Sequence, residues 1–472
     1  MNTQAASVGT PEEASTLAGT LRTRLAEFVA PLVRELDFWI DARLVRTLVA
    51  AVEAILQFRN RAQGLLLSEL GAHLLSPEHA PAGTKRLSNL LRCDKWSHKR
   101  IGRFLWERAC TRLKELETAG DEALLLWDQS VLEKPESLQT EGLCAVRSTK
   151  AARLKRIKPG FYNPPGGRPL FVPGMQWLAV MLAGLSPRSG PAHVAFMQWW
   201  TTRGEHATDA RTLQAQVLAW CAKAWRQRVL HVFDRGYAGH FWLSTLVYYR
   251  ARFVLRWPNR FRLIAVSTDG KPLPREDAKE EREGRAAWKL AAGKKAWDHK
   301  QVYDTHARVA RSIAILALPV RHPQLSVPLW LVVARSGYGR EPWYLLTNER
   351  VETKAEAWKI YFTYHRRWQV EMAFRFNKCE LAMESPRLWA WERRLKLLSL
   401  VTLAYAFLLC LLNPGLHAWV EVLLRHFCHR TGKRSRETSA PLYRLRAALS
   451  RLWLTFPRHP VSGTQAFTMN PG

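Results

Sequence analysis

The chain has 472 residues, 47% of them hydrophobic, enough to bury a large core shared among two to four domains, and it carries a formal charge of +31. A soluble protein needs only a modest net charge, and an excess of this size repels itself in the folded state, so a polyanionic partner is implied. The 21 Trp and 11 Tyr favour nucleic acid over an acidic membrane surface, because rings set among Arg and Lys can stack on bases.

Residues 1–16 lack the basic-then-apolar pattern of a secretory signal and read as a disordered tail. From 17 to 118, apolar residues recur at helical spacing in LAGTLRTRLAEFVAPLVREL and RLVRTLVAAVEAILQF, which predicts a helical N-terminal domain; the expectation that it binds DNA rests on its basic segment and on the family resemblance given below. Within it, Thr84–Trp106 places Lys85, Arg86, Arg92, Lys95, Lys99, Arg100 and Arg103 around short helical segments. That pattern suits a phosphate-contacting or groove-entering helix, and equally a solvated basic face.

At Ala123 the period changes. ALLLWD, GMQWLAVMLAG, HVAFMQWW and RVLHVFD are short apolar runs bounded by turn residues, and read as strands of a central sheet. The loop KPGFYNPPGGRP joins the first two, and the stretches ATDARTLQAQVLAWCAKAWRQ and AGHFWLSTLVYY read as helices. Residues 119–257 are therefore the first part of an α/β core. Residues 258–347 read as a β-rich insertion, with a hydrophilic stretch and then SIAILALPV, PLWLVVAR and PWYLLTN.

Residues 348–412 return to the core with a helix capped at Thr353, where TKAE is a capping-box pattern. Leu397–Leu412 is uncharged and apolar but short for a span and contains Ser and Thr, so a buried helix is expected and no membrane partner. Residues 413–472 form a basic, helical C-terminal region. The seven cysteines (Cys93, Cys110, Cys144, Cys221, Cys379, Cys410, Cys428) never form CxxC, which fits a reducing cytosol, and His426, Cys428 and His429 lack a second ligand pair nearby.

Three carboxylates carry the chemistry. Asp128 and Asp234 each end an apolar strand, where a side chain is delivered to the rim of the sheet; singly, either could cap a turn. In YHRRWQVEMAFRFNK (364–378), Tyr364, Arg367, Glu371 and Lys378 fall within an arc of roughly 60° at about 100° per residue, with Trp368, Met372 and Phe376 on a neighbouring face expected to pack on the sheet. Taken alone the stripe also reads as a solvated ion pair. Three convergent carboxylates in so basic a chain are what Mg²⁺ requires, and two such ions suit in-line phosphoryl transfer. Glu371 is then a metal ligand, with Arg367, Lys378 and Tyr364 on the phosphates of the nucleic acid.

The same stretch matches without a gap the Y-x2-R-x3-E-x6-K signature, and so resembles the DDE transposases of bacterial insertion sequences, the insertion sequence four family. WDQS at Asp128 and DRGYAG at Asp234 are similar to that family's first two catalytic motifs. The resemblance covers roughly residues 120–380. It implies a ribonuclease-H-like core, two Mg²⁺ ions (Mn²⁺ substituting) held by Asp128, Asp234 and Glu371, and cut-and-paste movement of double-stranded DNA with terminal inverted repeats. It also implies a homodimeric synapse in a bacterial cytoplasm, associated with the nucleoid. Trp343 stands where hairpin-forming members carry a base-stacking Trp, and is also a plain strand residue; Arg235 and Tyr237 complete the expected DNA contacts, though Tyr237 could equally pack and Gly236 departs from some relatives. Two other readings stay open: a metal nuclease of the same fold, and a domesticated DNA-binding protein without chemistry.

Overall fold

The computed structural model describes residues 10–58, 63–134, 140–148, 171–267, 282–304, 309–337, 339, 341–428 and 442–457. Two compact units divide the chain: Met1–Leu105 together with Arg375–Gly472, and Trp106–Phe374. Helices α1 (Pro11–Asp37), α2 (Ala42–Gln57), α3 (Leu67–Leu74), α4 (Ala80–Arg92) and α5 (His98–Thr118) come first. Strands β1 (Ala123–Glu133), β2 (Cys144–Arg147), β3 (Phe171–Gly184) and β4 (His193–Trp200) follow, then α6 (Ala210–Trp225), β5 (Leu230–Phe233), α7 (His240–Tyr248) and β6 (Arg252–Arg256). Next are β7 (Arg262–Ala265), β8 (Arg285–Ala286), α8 (Ala287–Ala291), β9 (Asp298–Asp304), β10 (Val309–Arg321), β11 (Leu329–Arg335) and β12 (Trp343–Thr347). Helices α9 (Lys354–Arg366), α10 (Trp368–Cys379), α11 (Trp391–Leu411), α12 (His417–His426) and α13 (Leu442–Thr455) complete the described elements.

The sheet unit is mixed α/β. Its 12 strands run in the order β2, β3, β1, β5, β6, β12, β11, β10, β7, β8, with β4 also on β3 and β9 also on β10. Ala123–Trp127 of β1 is buried throughout, as a central strand covered on both faces must be. β1 pairs antiparallel with β3 along its length and parallel with β5, and β5 pairs parallel with β6. Parallel pairing needs long crossovers, and α6 and α7 lie in them. Trp127, Phe233 and Trp242 belong to the buried cluster on one side of these strands.

The β-rich stretch prolongs this sheet. β12 joins β6, β11 joins β12, and β10 joins β11, each antiparallel. Arg252 ties the ends together, pairing with Glu122 at 2.8 Å and Glu349 at 2.7 Å. The loop KPGFYNPPGGRP and most of the hydrophilic stretch after residue 267 lie outside the described residues.

The other unit is helical. α1 begins at Pro11, earlier than a tail to residue 16 allows, because Thr10 and Glu13 form a reciprocal capping box. Residues 1–9 lie outside the described range, as does His429. The C-terminal region is part of the same unit as the N-terminal helices: Arg22 of α1 pairs with Glu53 of α2 at 2.7 Å and donates to the carbonyl of Phe456 at 2.8 Å, and Ser450 donates to that of Gln57 at 2.6 Å. α11 packs on α2 in this unit and not in the sheet unit. It is long and apolar enough to cross a membrane by length and composition, but 94% of its most apolar window is buried, as in a core helix.

α3 and α4 approach backbone to backbone. A Cβ on Gly83 would strike the carbonyl oxygen of Gly71, and one on Gly71 would lie 2.6 Å from the Thr84 nitrogen. Gly83→Ala is expected to destabilise the protein by about 1–3 kcal/mol, read as a lower thermal midpoint. Gly102→Ala in α5, whose added methyl meets nothing within 4 Å, should be neutral or stabilising by about 0.5–1 kcal/mol.

Candidate active site

The register of the parallel pair positions the first two carboxylates. Leu124, Leu125 and Leu126 of β1 face Leu230, His231 and Val232 of β5, and the same register carried two residues further sets Asp128 opposite Asp234. Asp234 directly follows the end of β5, whereas Asp128 does not end its strand as expected: β1 runs on to Glu133, paired with β3, and Asp128 lies just past the stretch that pairs with β5. Beneath them Trp127 donates from its indole nitrogen to Nδ1 of His231 at 3.1 Å. Burial, with Arg252 adding to it, pushes the His231 pKa down to about 3, so the ring is neutral and its other nitrogen carries the proton.

The third carboxylate comes from a broken helix. The capping box at Thr353 forms, with Glu356 accepting from the Thr353 nitrogen at 2.9 Å, but the helix is interrupted at Arg367. There the N–H of Arg367 bonds to Tyr364 and that of Val370 to Arg367, each three residues back and each at 3.0 Å. α9 and α10 therefore meet at Arg367, with Tyr364 on the first, Glu371 on the second and Arg367 between them.

Arg367 and Tyr364 are buried, which differs from the expectation that they hold phosphates. Arg367 donates from Nη1 to Asp128 Oδ2 at 2.9 Å and from Nη2 to Glu371 Oε1. The Tyr364 hydroxyl donates to Asp234 Oδ1 at 2.9 Å. With side-chain exposures of 7% for Arg367, 17% for Asp128 and 32% for Glu371, the guanidinium lies deeper than the carboxylates it joins. Arg367 thus bonds two of the three carboxylates, while Asp234 is held by Tyr364, with Arg367 and Arg256 acting on it through their charge.

This imbalance splits the two aspartates. Burial, then repulsion from Asp234 and Glu371, outweighs Arg367 and the Gln129 N–H and raises Asp128 to about 6. For Asp234 burial also favours the neutral form, but Arg367, the Arg235 N–H, the Tyr364 hydroxyl and Arg256 outweigh it and lower the pKa. Burial first, then the charge of Asp234, raises Tyr364 to about 12, so it stays a donor at neutral pH.

The remaining expected contacts separate. Arg235 is exposed in a short 3-10 turn after β5. Trp343, half-buried at the start of β12, stacks on Tyr361 at 5.4 Å and meets the Tyr364 ring edge-on at 5.1 Å. Tyr237 is instead a core residue: its ring lies 5.1 Å from Phe233 and 5.3 Å from Trp242, leaving no face for a base. Lys378 is in the last turn of α10, partly exposed, and belongs to the helical unit. Trp368 and Met372 are exposed and do not pack on the sheet, because Val370, Ala373 and Phe374 form the buried face there; Phe374 meets Trp177 edge-on at 4.6 Å.

Among the described residues, the side chains that bring three metal-capable atoms within 4.8 Å of one another are those of Glu141, Glu205 and His206, outside the motifs. No spacing pattern in the sequence links them. Asp128, Asp234 and Glu371 are spread wider, around the guanidinium of Arg367. Their donor set is nonetheless all oxygen and carries two more negative charges than Arg367 neutralises, which fits a hard divalent cation.

No family model matches the chain, and neither does any curated protein. Among solved structures it is similar to a cryo-electron microscopy structure of a piggyBac transposase synaptic complex with hairpin DNA, at 12% identity and TM-score 0.38, over 98% of this chain and 84% of that one. So loose a likeness carries no functional argument.

With metal chelated, Asp128→Asn should be more stable than wild type at pH 8, by on the order of 1–3 kcal/mol. The folded-state pKa of about 6 lies above the ordinary 3.8, so the folded carboxyl keeps its proton below pH 4 and stability is lost as pH rises through 6. The gap between variant and wild type in denaturant titrations should therefore close below pH 4. Arg367→Ala should cost about 3–5 kcal/mol at pH 8 and less at pH 5, where Asp128 is largely protonated.

Proposed function

We propose that the protein is a DDE transposase that cuts DNA at the ends of an insertion sequence and joins those ends to target DNA. The observation that carries this reading is the convergence of Asp128, Asp234 and Glu371, drawn from two register-matched strands and a helix, on one buried arginine. The strand order β4, β3, β1, β5, β6, with β5 and β6 parallel to β1 and helices in the crossovers, supports a ribonuclease-H-like core.

Asp128, Asp234 and Glu371 would hold two Mg²⁺ ions, or Mn²⁺ in their place. When bound, such ions supply activation of the attacking oxygen and stabilisation of the leaving oxygen in phosphoryl transfer. The protein's own part is orientation. Arg367 aims Asp128 and Glu371, and Tyr364 aims Asp234 and stays protonated while doing so. In this reading Arg235, exposed after Asp234, and Lys378 would contact phosphates, and the half-buried Trp343 would stack on a displaced base. Synapsis by a homodimer in the bacterial nucleoid follows from the sequence signature.

The test is a strand-transfer assay with purified protein, Mg²⁺, the DNA flanking its gene as donor and a supercoiled target. Glu371→Gln should abolish cleavage and joining while leaving DNA binding within about twofold, since only one surface charge changes. Cleavage without joining would mean a nuclease. Binding without metal-dependent turnover would mean a DNA-binding protein that lacks the chemistry.

A further inference from the structure

α4 is a 13-residue helix, APAGTKRLSNLLR, without a carboxylate. At about 100° per residue, Arg92, Lys85, Asn89 and Arg86 span an arc of roughly 120°, and all four side chains are exposed. Gly83, Leu87, Leu90 and Leu91 form the opposite, buried arc. None of the three cations on the outer arc pairs with a described carboxylate, and the nearest acids in the chain are Glu78 before the helix and Asp94 after it.

The helix is also anchored at both ends. The Trp96 indole donates to the Leu90 carbonyl at 2.8 Å, and buried Lys396 donates to those of Leu91 at 3.3 Å and Cys93 at 2.7 Å. These bonds satisfy carbonyls that a helix C-terminus otherwise leaves open, and Lys396 also opposes the negative end of the helix dipole. The Gly71 and Gly83 contact fixes the first turn against α3. Asp94, Lys95 and Lys99 continue outward beyond the anchor, exposed.

We propose that α4 is a recognition helix that enters the major groove of duplex DNA, with Arg86 and Asn89 on base edges and Lys85, Arg92 and Lys95 on the phosphates. The choice of duplex DNA as the polyanion rests on the transposase reading. A helix fits that groove, Arg matches the acceptor pair of guanine and Asn the donor and acceptor of adenine, and rigid anchoring is what discrimination between bases requires. A solvated basic face would need neither the amide among the cations nor the bonded C-terminus.

The experiment selects binding sites from a pool of random-sequence duplex DNA, using the full chain in chelator so that no cleavage occurs. Wild type should enrich one sequence. Asn89→Ala and Arg86→Ala should each lower the preference at one base position by about 5–150-fold, with other positions unchanged. Lys95→Ala should weaken all sequences alike and reduce the salt slope by about one phosphate. Circular dichroism of these surface variants should match wild type. No enriched sequence, unchanged selectivity in Asn89→Ala and Arg86→Ala, or a uniform loss across sequences would each overturn the assignment. Because the selection contains no metal, a protein that selects sequence through α4 yet never cuts would leave this inference standing and sink the transposase reading; normal cutting with unaltered selectivity in the variants does the reverse.

Discussion

Three carboxylates share one guanidinium at bonding distance, that of Arg367, with Arg256 acting only through its charge on Asp234, and that shortage of positive charge sets the conditions for everything around it. Arg367 reaches Asp128 and Glu371 from below, and Tyr364 takes the load at Asp234. An arrangement that repels itself persists only where neighbouring structure fixes it. Here the fixing comes from a buried strand pair whose register is locked by Leu, Val and aromatic side chains, and from a helix junction that tightens at the arginine itself.

The division of labour inside the stripe follows from depth. Tyr364 and Arg367 share a helical face with Glu371, but they lie under the carboxylates, so their donors are spent within the protein. A residue in that position shapes a site without touching what enters it. Arg235, Trp368 and Met372, by contrast, are exposed at the surface.

Much of this was legible in the sequence because the signals are local. Apolar runs announced β1 and β5, although β1 continues past Asp128 to Glu133, the TKAE box announced α9, and the four-residue spacing announced the Arg367 to Glu371 contact. What local patterns do not carry is register and partnership across long separations. Nothing near residue 367 marks the helix break, since neither Gly nor Pro is there. Nothing in DRGYAG says that the Tyr237 ring turns into the core while Arg235 turns out. The union of α1 and α2 with α13 depends on Arg22, Ser450 and the Phe456 carbonyl, more than four hundred residues apart in the longest case. Glu141, Glu205 and His206 meet only because the chain folds.

The helical unit is assembled from both ends of the chain, with the whole sheet unit threaded between Leu105 and Arg375. During synthesis the ribosome therefore releases every strand of the sheet before it releases α11 and α13, the partners that α2 requires. The half that holds the carboxylates can mature while the half that holds α4 is still waiting for its last segments. A truncated or stalled chain would then carry a finished sheet and an unfinished helical unit, with the apolar face of α2 open to chaperones and proteases.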